Sequence, residues 1–317
     1  MTDLPACLAC VAPPEREAGW TMPLPPIDEE EGTEVDPSLG VARGSLVDAH
    51  VHLFPDRLFE AIWRWFDVHG WPIRYKLKTP DVIAFALARG VGHIVALHYA
   101  HKPGIARGMN AYMAEVVRTN PRVTGMATVM PGEPDAPRIL EDAFASGLRG
   151  VKLHCHVQCF APDAPALAEI YETCIRHDMP LVIHAGREPK SNGYKCDPHT
   201  LCHVDRTEAV LRAYPTLRLA VPHLGADEFE GYQRLLERHD NLWLDTTMAL
   251  ASYFEDDARA FRIVEARPDR IMYGTDFPNI PYAWDRELKR IAARRLPEAA
   301  LASVLGETAR SFYKIGT

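Results

Sequence analysis

The sequence lacks any apolar run near the roughly 20 residues that would span a bilayer. Its amino terminus has no basic segment followed by an apolar one, so no secretory signal is expected. It has no stripe of Lys and Arg interleaved with aromatic residues, and the formal net charge at pH 7 is -8. Because nucleic-acid binding needs a concentrated basic surface, neither a nucleic acid nor a membrane is expected as partner. A small-molecule substrate remains, and a homo-oligomer is left open.

Cysteine is scarce and scattered, with seven residues in 317. An odd, dispersed set does not fit a disulfide framework, so we expect reduced thiols and a cytoplasmic location. Cys7 and Cys10 form a CxxC, but no second pair follows at the spacing of a zinc site. The role of this pair is left open.

Large apolar groups are also sparse in residues 1–44, which are rich in proline and acid. Such a segment buries too little surface to offset its ordering entropy. We therefore predict a loosely ordered N-terminal arm over 1–44 and a folded domain over 45–317. The apolar content of 47% is ordinary for a globular protein of this length.

Short runs rich in Val, Ile and Leu alternate with amphipathic helical patterns along the folded domain. The predicted strands are residues 46–52, 92–99, 122–130, 148–154, 180–184, 217–223, 241–246 and 270–276. Eight strands alternating with helices predict a single (β/α)₈ TIM barrel of the α/β class. A doubly wound open sheet is the alternative, but it would usually carry a glycine-rich first turn, which is absent.

The longest connection follows the first strand and holds an aromatic insert at residues 54–77. Phe59, Trp63 and Phe66 fit one stripe of a helix, which is typical of core packing. The insert also leaves the side of the barrel where strands end. A lid that lines a substrate pocket, with Trp63 in contact with substrate, is therefore an equal alternative.

The first strand carries the densest chemistry, in the run Asp48-Ala-His-Val-His52. Strict alternation places Asp48, His50 and His52 on one face. Two imidazoles one strand repeat apart can bind one metal ion from the same direction. Asp48 would then lie one inward step below His50, as an acceptor that orients it or as an ordinary residue of the barrel interior.

Three further residues end later predicted strands: His184, His223 and Asp276. In a barrel the carboxyl ends of the strands share one rim, where such enzymes keep their active sites. Imidazoles with one carboxylate suit a borderline ion such as Zn²⁺ and leave a position for water. Metal-bound water ionises near neutral pH, and Asp276 is placed to move its proton while His223 polarises a carbonyl.

Four motifs together resemble the amidohydrolase superfamily, in its amidohydrolase-related (amidohydrolase 2) branch of metal-dependent hydrolases and decarboxylases. They are the run at 48–52, Val-Ile-His-Ala-Gly at 182–186, Pro-His-Leu-Gly at 222–225 and Tyr-Gly-Thr-Asp-Phe-Pro at 273–278. The resemblance covers about 45–313. It implies that His50, His52, His184 and Asp276 bind a divalent metal, commonly zinc, with His223 beside it.

The fourth strand carries Lys152 and a second HxH, His154 and His156. In some branches of the superfamily a carboxylated lysine on this strand bridges two metals. Lys152 either serves in this way or is a buried lysine paired with Asp48 or Asp276. One ion is favoured over two, and His154 is a candidate substrate contact.

Arg187 follows the His184-Ala-Gly186 turn at the expected mouth of the barrel. Its guanidinium fork would suit a substrate carboxylate, because it can bond both oxygens at once. The alternative is an ordinary solvated charge on a loop.

The leading hypothesis is a metal-dependent hydrolase that directs metal-activated water at an amide, ester or lactone carbonyl of a small, carboxylated substrate. The alternative is a metal-dependent, non-oxidative decarboxylase of an aromatic or dienoic acid, which would use the same residues. A catalytically silent metal-binding barrel is the third reading. The presence of both His223 and Asp276 argues against it, since a silent site need not keep both acid–base groups.

Overall fold

The computed structural model describes residues 24–42, 44–187, 190–254 and 258–316. The Cys7 and Cys10 pair therefore lies outside the described residues. None of the helices in these ranges is long and apolar enough to cross a membrane.

Eight parallel strands form the centre of the described chain. They are β1 Val47–His52, β2 His93–Leu97, β3 Val123–Gly125, β4 Val151–His154, β5 Leu181–His184, β6 Leu219–Val221, β7 Leu242–Asp245 and β8 Ile271–Met272. Strands β1 to β3 pair in order, and so do β4 to β8. Single bridges, Ala127 to Val151 and Val51 to Phe277, join the two groups into a closed ring. The fold is the predicted (β/α)₈ TIM barrel.

Helices lie between the strands. They are α1 Asp56–His69, α2 Thr79–Ala88, α3 Ala106–Thr119, α4 Ala136–Ala145, α5 Cys155–Gln158, α6 Ala168–Arg176, α7 Pro198–Leu201, α8 Val204–Ala213, α9 Phe229–Arg238, α10 Ala258–Ala266, α11 Arg286–Arg294, α12 Glu298–Ala302 and α13 Thr308–Tyr313. Each long helix buries one apolar stripe; α9, for example, buries Tyr232, Leu235 and Leu236. This packing covers the outer face of the strands.

The barrel interior is a small apolar cluster separate from the outer layer between strands and helices. Val47, Ala49, Val95 and Met272 belong to the inner cluster, and Phe312 of α13 packs onto it. These side chains fill the barrel, so the chemistry is confined to the end where the strands finish.

A β-bulge interrupts β1 between Asp48 and Val51, where the pairing with β2 shifts by one residue. Val47 and Ala49 face the inner cluster, whereas Val51 packs in the outer layer. The predicted shared face of Asp48 with His50 and His52 is therefore wrong, because a bulge breaks the alternation. Asp48 instead lines a small cavity with Phe85 of α2.

The strands β6 and β8 end earlier than predicted, so that their site residues lie beyond them. β6 ends at Val221 and β8 at Met272, so His223 and Asp276 occupy the following loops. Both residues have left-handed backbones, with φ of 58° for His223 and 67° for Asp276. A strand cannot continue through such a conformation, which explains the shorter ladders.

Residues 24–42 lie against the barrel through backbone hydrogen bonds. Leu24 N–H donates to Gly70 O (2.9 Å), Ile27 N–H to Pro281 O (3.0 Å) and Val35 N–H to Arg89 O (2.8 Å). Glu29 adds an ion pair with Arg286 of 2.7 Å. The division of the chain into an arm over 1–44 and a barrel over 45–317 stays a prediction.

Gly92 generates a stability prediction. It directly precedes β2 and packs against the backbone of Gly44, which lies three residues before β1. A Cβ at Gly92 would lie 1.7 Å from the carbonyl oxygen of Gly44. We expect Gly92→Ala to destabilise the protein by about 1–3 kcal/mol, measured by denaturant unfolding.

Gly108 within α3 provides the matched control, since a Cβ there meets no atom within 4 Å. Gly108→Ala should leave stability unchanged or raise it by about 0.5–1 kcal/mol. Equal stability of Gly92→Ala and the parent protein would contradict the close approach of these two backbones.

Candidate active site

Three of the predicted metal ligands converge at the rim of the barrel. His50, His52 and Asp276 bring one ligand atom each to within 4.8 Å of one another, in a mostly buried group. Asp276 Oδ1 lies 2.9 Å from His52 Nε2 and 3.3 Å from His50 Nε2. Donor atoms at these separations match the edges of a coordination shell with bonds of about 2.0–2.2 Å.

Asp245, at the end of β7, sets the tautomer of His50. Its Oδ2 lies 2.9 Å from His50 Nδ1. Burial and the positive charge of Lys152 lower the pKa of His50 to about 4, so the ring is neutral at pH 7. Nδ1 therefore carries the proton and donates it to Asp245, while Nε2 carries the lone pair.

Asp245 stays ionised despite its position. Burial opposes ionisation, but the neighbouring His50 and its hydrogen bond lower the pKa of the Asp245 carboxyl to about 2. Asp245 Oδ1 also accepts the backbone N–H of His223 at 3.2 Å. One carboxylate thus orients two site residues. Asp245 was not among the site residues predicted from the sequence. The signal available was its acidic side chain near the carboxyl end of the predicted strand 241–246.

The arrangement around Asp276 fits a cation. His50 Nε2 is buried, has no hydrogen-bond partner among the described residues, and points its lone pair at Asp276. Burial opposes ionisation of Asp276, but His52 and His50 hold the pKa of its carboxyl far below the usual range. A carboxylate oxygen facing an imidazole lone pair at 3.3 Å is repulsive unless positive charge lies between them. A divalent ion supplies that charge, and these residues therefore fit one.

The backbone of Asp276 is held by β1. Its N–H donates to His50 O at 2.9 Å. The preceding residue, Thr275, donates both its N–H (3.1 Å) and its hydroxyl (2.6 Å) to the Asp48 carboxylate. Burial raises the pKa of Asp48 to about 7, and the hydrogen bonds from Thr275 oppose that rise. Asp48 thus acts on the site from outside the barrel, by joining β1 to the segment that carries Asp276.

His223 and His184 form a second pair next to this group. His223 Nδ1 lies 2.8 Å from Thr247 O, so Nδ1 is the protonated nitrogen and Nε2 faces inward. His223 Nε2 lies 3.4 Å from His184 Nδ1, and the His223 ring centroid is 5.8 Å from that of His50. The structure therefore links His184 to the His50 group through His223. That His184 completes the ligand set stays a prediction.

His184 also belongs to a cluster with His154 and His156, whose ligand atoms lie within 4.8 Å of one another. The rings of His154 and His184 stack at 4.0 Å with an interplanar angle of 8°. An imidazole binds an ion in its own plane, so two parallel rings cannot both direct a lone pair at one ion. We therefore assign no metal to this cluster, and His154 stays a candidate substrate contact.

Lys152 is fully buried in β4, and its charge reaches His50. It lies two residues before His154, which pairs with His184 in the β4–β5 register. The Asp48 carboxylate accepts hydrogen bonds from Thr275 and from the His50 N–H. The pairing of Lys152 with Asp48 or Asp276 stays a prediction. The bridging carbamate on Lys152 stays a prediction.

Arg187 is not an ordinary solvated charge. Its Nε lies 3.0 Å from Asp227 Oδ1 and 3.3 Å from Glu228 Oε2, beyond β6. These two carboxylates fix one edge of the guanidinium. A contact between Arg187 and a substrate carboxylate stays a prediction.

The aromatic insert forms α1, which packs into the core and contacts a loop at the mouth of the barrel. Phe59 is buried and stacks on Trp63 at 5.8 Å, which is core packing. Trp65 Nε1 donates to Gly193 O at 3.4 Å, so α1 also contacts the loop after β5. The Nε1 donor of Trp63 is buried without a partner in the described part of the chain. Its contact with substrate stays a prediction.

The control of His50 by Asp245 generates a prediction about metal affinity. In Asp245→Asn the side-chain amide can donate to His50 Nδ1, which moves the ring proton to Nε2 and removes the lone pair. We expect the affinity for Zn²⁺ or Mn²⁺ to fall about 10–100-fold, measured by competition with a chromophoric chelator. Asp240→Asn, at the opposite end of β7 with a side chain 93% exposed, is the control. Unchanged affinity in Asp245→Asn would contradict this role.

Solved structures similar to this fold include several decarboxylases. 5-Carboxyvanillate decarboxylase LigW from Sphingomonas paucimobilis superposes with a TM-score of 0.63 at 18% identity, covering 86% of this chain and 99% of that one. The same enzyme from Novosphingobium aromaticivorans, in complex with manganese and 4-hydroxy-3-methoxy-5-nitrobenzoic acid, has a TM-score of 0.63 at 16% identity, covering 91% and 100%. 2,6-Dihydroxybenzoate decarboxylase from Rhizobium has a TM-score of 0.61 at 16% identity, covering 86% and 99%. At these identities the likeness shows a shared TIM-barrel fold.

A search of curated proteins found no match to the sequence. A family model described as Amidohydrolase matches residues 47–315. That range begins with β1 and contains every residue of the candidate site. The matched range, the closed barrel and the histidine–carboxylate group for a divalent metal agree: the chain belongs to the amidohydrolase family of enzymes.

Proposed function

We propose that this protein is a metal-dependent, non-oxidative decarboxylase of an aromatic or dienoic acid. The observation that carries the proposal is a wall of flat rings beside the histidine–carboxylate group. Phe54 stacks on His52 at 5.6 Å with an interplanar angle of 12°. Tyr99 lies 5.8 Å from His52 and 4.8 Å from His154, as ring centroids. Such a wall suits a planar, conjugated substrate.

Positive charge near the mouth favours an acidic substrate. Burial lowers the pKa of His199; the charges of Lys190 and Arg187 lower it further, and those of Asp227 and Asp197 oppose the fall. His101 shows the same pattern, with burial first and then Lys102 and Lys195. These cations come from the loops after β2 and β5, at the end of the barrel that holds the candidate site. They would attract a carboxylate towards it.

Decarboxylation breaks the bond between the ring carbon and the carboxylate, leaves the electron pair on that carbon, and replaces CO₂ with a proton. A divalent ion bound by His50, His52, His184 and Asp276 would hold the substrate oxygens and withdraw electron density. Asp276 takes an acidic proton from the bound substrate and returns it to the carbon. Its low pKa favours the second of these steps, because the protonated form of such a carboxyl is a strong acid that readily gives its proton to the carbon. His223 Nε2 faces inward and accepts a hydrogen bond from a substrate hydroxyl.

We propose Zn²⁺ as the ion because the set is rich in imidazole nitrogen. Mn²⁺ is the alternative, and the similar N. aromaticivorans decarboxylase carries it. Metal analysis of the purified protein distinguishes the two. The expected count is one ion per chain, whereas two would support the carbamate on Lys152. A cytoplasmic location stays a prediction.

Hydrolysis is the second candidate, since the ionised Asp276 beside His52 would also accept a proton from water. It was the leading hypothesis from the sequence. The comparisons support decarboxylation better, because the similar enzymes named above are decarboxylases.

A substrate panel tests the reaction type. We expect 2,6-dihydroxybenzoate, 5-carboxyvanillate or a related acid to release CO₂ and, in D₂O, to gain one deuterium at the carbon that lost the carboxylate. No ¹⁸O from labelled water should enter the organic product. Incorporation of ¹⁸O from labelled water into the acid produced from an amide, ester or lactone, without CO₂ release, would establish the hydrolase instead.

Asp276 and His223 generate a second prediction for the same assay. Replacing Asp276 with Asn should lower kcat by about 10²–10⁴-fold, because it removes the proton carrier. His223→Gln should lower activity with metal content retained. Asp269→Asn, in the turn before β8 with a side chain 58% exposed, is the control and should keep full activity. Full turnover in Asp276→Asn would refute the assigned role.

A further inference from the structure

We propose that Cys159 and Cys196 form a redox-active dithiol at the rim of the barrel, which a peroxide converts to an intramolecular disulfide. This site is separate from the decarboxylation proposed above and does not depend on it. It rests on the position of two thiols that come from different connections of the barrel.

Both sulfurs lie within hydrogen-bond distance of the same backbone oxygen. Cys159 Sγ lies 3.8 Å from His156 O, and Cys196 Sγ lies 3.3 Å from that atom. Cys159 directly follows α5 and is held in a left-handed conformation, with φ of 55°. Cys196 comes from the loop between β5 and α7. Two sulfurs that share one acceptor are neighbours, and a disulfide needs neighbouring sulfurs.

The pair divides into an attacking and a resolving thiol. Cys159 is half-buried, whereas Cys196 is only 3% exposed. The hydrogen bond from Cys196 lowers the pKa of Cys159 to about 7, with help from the positive charge of Lys195 and against the effect of burial. A thiolate is the reactive form of cysteine, so Cys159 is the thiol that a peroxide meets first.

The chemistry balances in two steps. The Cys159 thiolate attacks one oxygen of hydrogen peroxide, breaks the O–O bond and becomes a sulfenic acid, while hydroxide leaves and takes up a proton as water. The Cys196 sulfur then attacks the Cys159 sulfur, the S–S bond forms, and a second water leaves with the Cys196 proton. The two thiols are oxidised by two electrons, and the peroxide is reduced to two waters.

The other described cysteines provide internal controls. Burial raises the pKa of Cys174 in α6 to about 12, and Cys174 is fully buried. Cys202 is also fully buried, and burial with its hydrogen bond to Cys155 raises its pKa well above the usual range. These thiols are protonated at neutral pH and shielded from solvent, so they should not react in the folded protein.

A bond between Cys159 and Cys196 would act on the mouth of the barrel. The loop that carries Cys196 also carries Tyr194, whose ring lies 5.4 Å from His156 and 5.2 Å from Trp65 of α1. The disulfide would join this loop to the residue that follows α5, close to the stacked rings of His154 and His184.

The test is peroxide oxidation of the folded, full-length chain in a Cys7→Ser, Cys10→Ser background, which removes the CxxC from competition. Thiols are then blocked with an alkylating reagent, and peptides are mapped by mass spectrometry. We expect one cross-linked species, Cys159 to Cys196, that dithiothreitol abolishes. A Cys155–Cys202 link, an intermolecular link, or two unoxidised thiols at 159 and 196 would overturn the proposal.

Single substitutions separate the two roles. In Cys196→Ser, Cys159 should stop at a sulfenic acid that dimedone traps; in Cys159→Ser, Cys196 should stay reduced. In the reduced parent, Cys159 should be alkylated at pH 7 at least about tenfold faster than Cys174. Alkylation of Cys174 that is faster than that of Cys159 would refute the assignment, and so would oxidation of Cys196 without Cys159. The alkylation measurement uses the parent protein, so it does not depend on the folding of a variant.

Discussion

The hydrogen bond from the Asp276 N–H to His50 O is the contact on which the candidate site depends. It joins β1 to the loop after β8 and so closes the barrel at the point where the metal ligands meet. Asp48 reinforces the closure from the outside by accepting two hydrogen bonds from Thr275. The Asp276 carboxylate is thereby held within 3.3 Å of both first-strand imidazoles.

Closure alone would not orient the ligands, and a buried carboxylate does that work. Asp245 accepts from His50 Nδ1 and from the His223 backbone N–H, so one side chain orients the His50 imidazole and holds the backbone of His223. His223 and Asp276, which both have left-handed backbones, both belong to this site. Strained conformations of this kind persist only where surrounding structure determines them, and they concentrate at functional sites. The hydrogen bonds from the His223 N–H to Asp245 and from the Asp276 N–H to His50 O provide that determination.

The rim of the barrel combines three kinds of surface. The His50 group contains the predicted metal ligands, the rings of Phe54 and Tyr99 pack beside it, and the loops after β2 and β5 carry positive charge. The loop after β5 also contacts α1 and holds Cys196 beside Cys159. The proposed substrate access and the proposed thiol chemistry therefore share one connection of the barrel, the loop between β5 and α7.

The sequence by itself determined the number and order of the strands, because apolar runs of strand length alternate with helical patterns from Leu46 onward. It also placed His50, His52, His184, His223 and Asp276 at strand ends, which in a barrel share one rim. Only the tertiary structure decided that Asp48 faces away from His50, since a bulge depends on pairing with β2. The partnership of Asp245 with His50 was likewise decided there, because the two residues are far apart in the sequence and no local pattern reveals it.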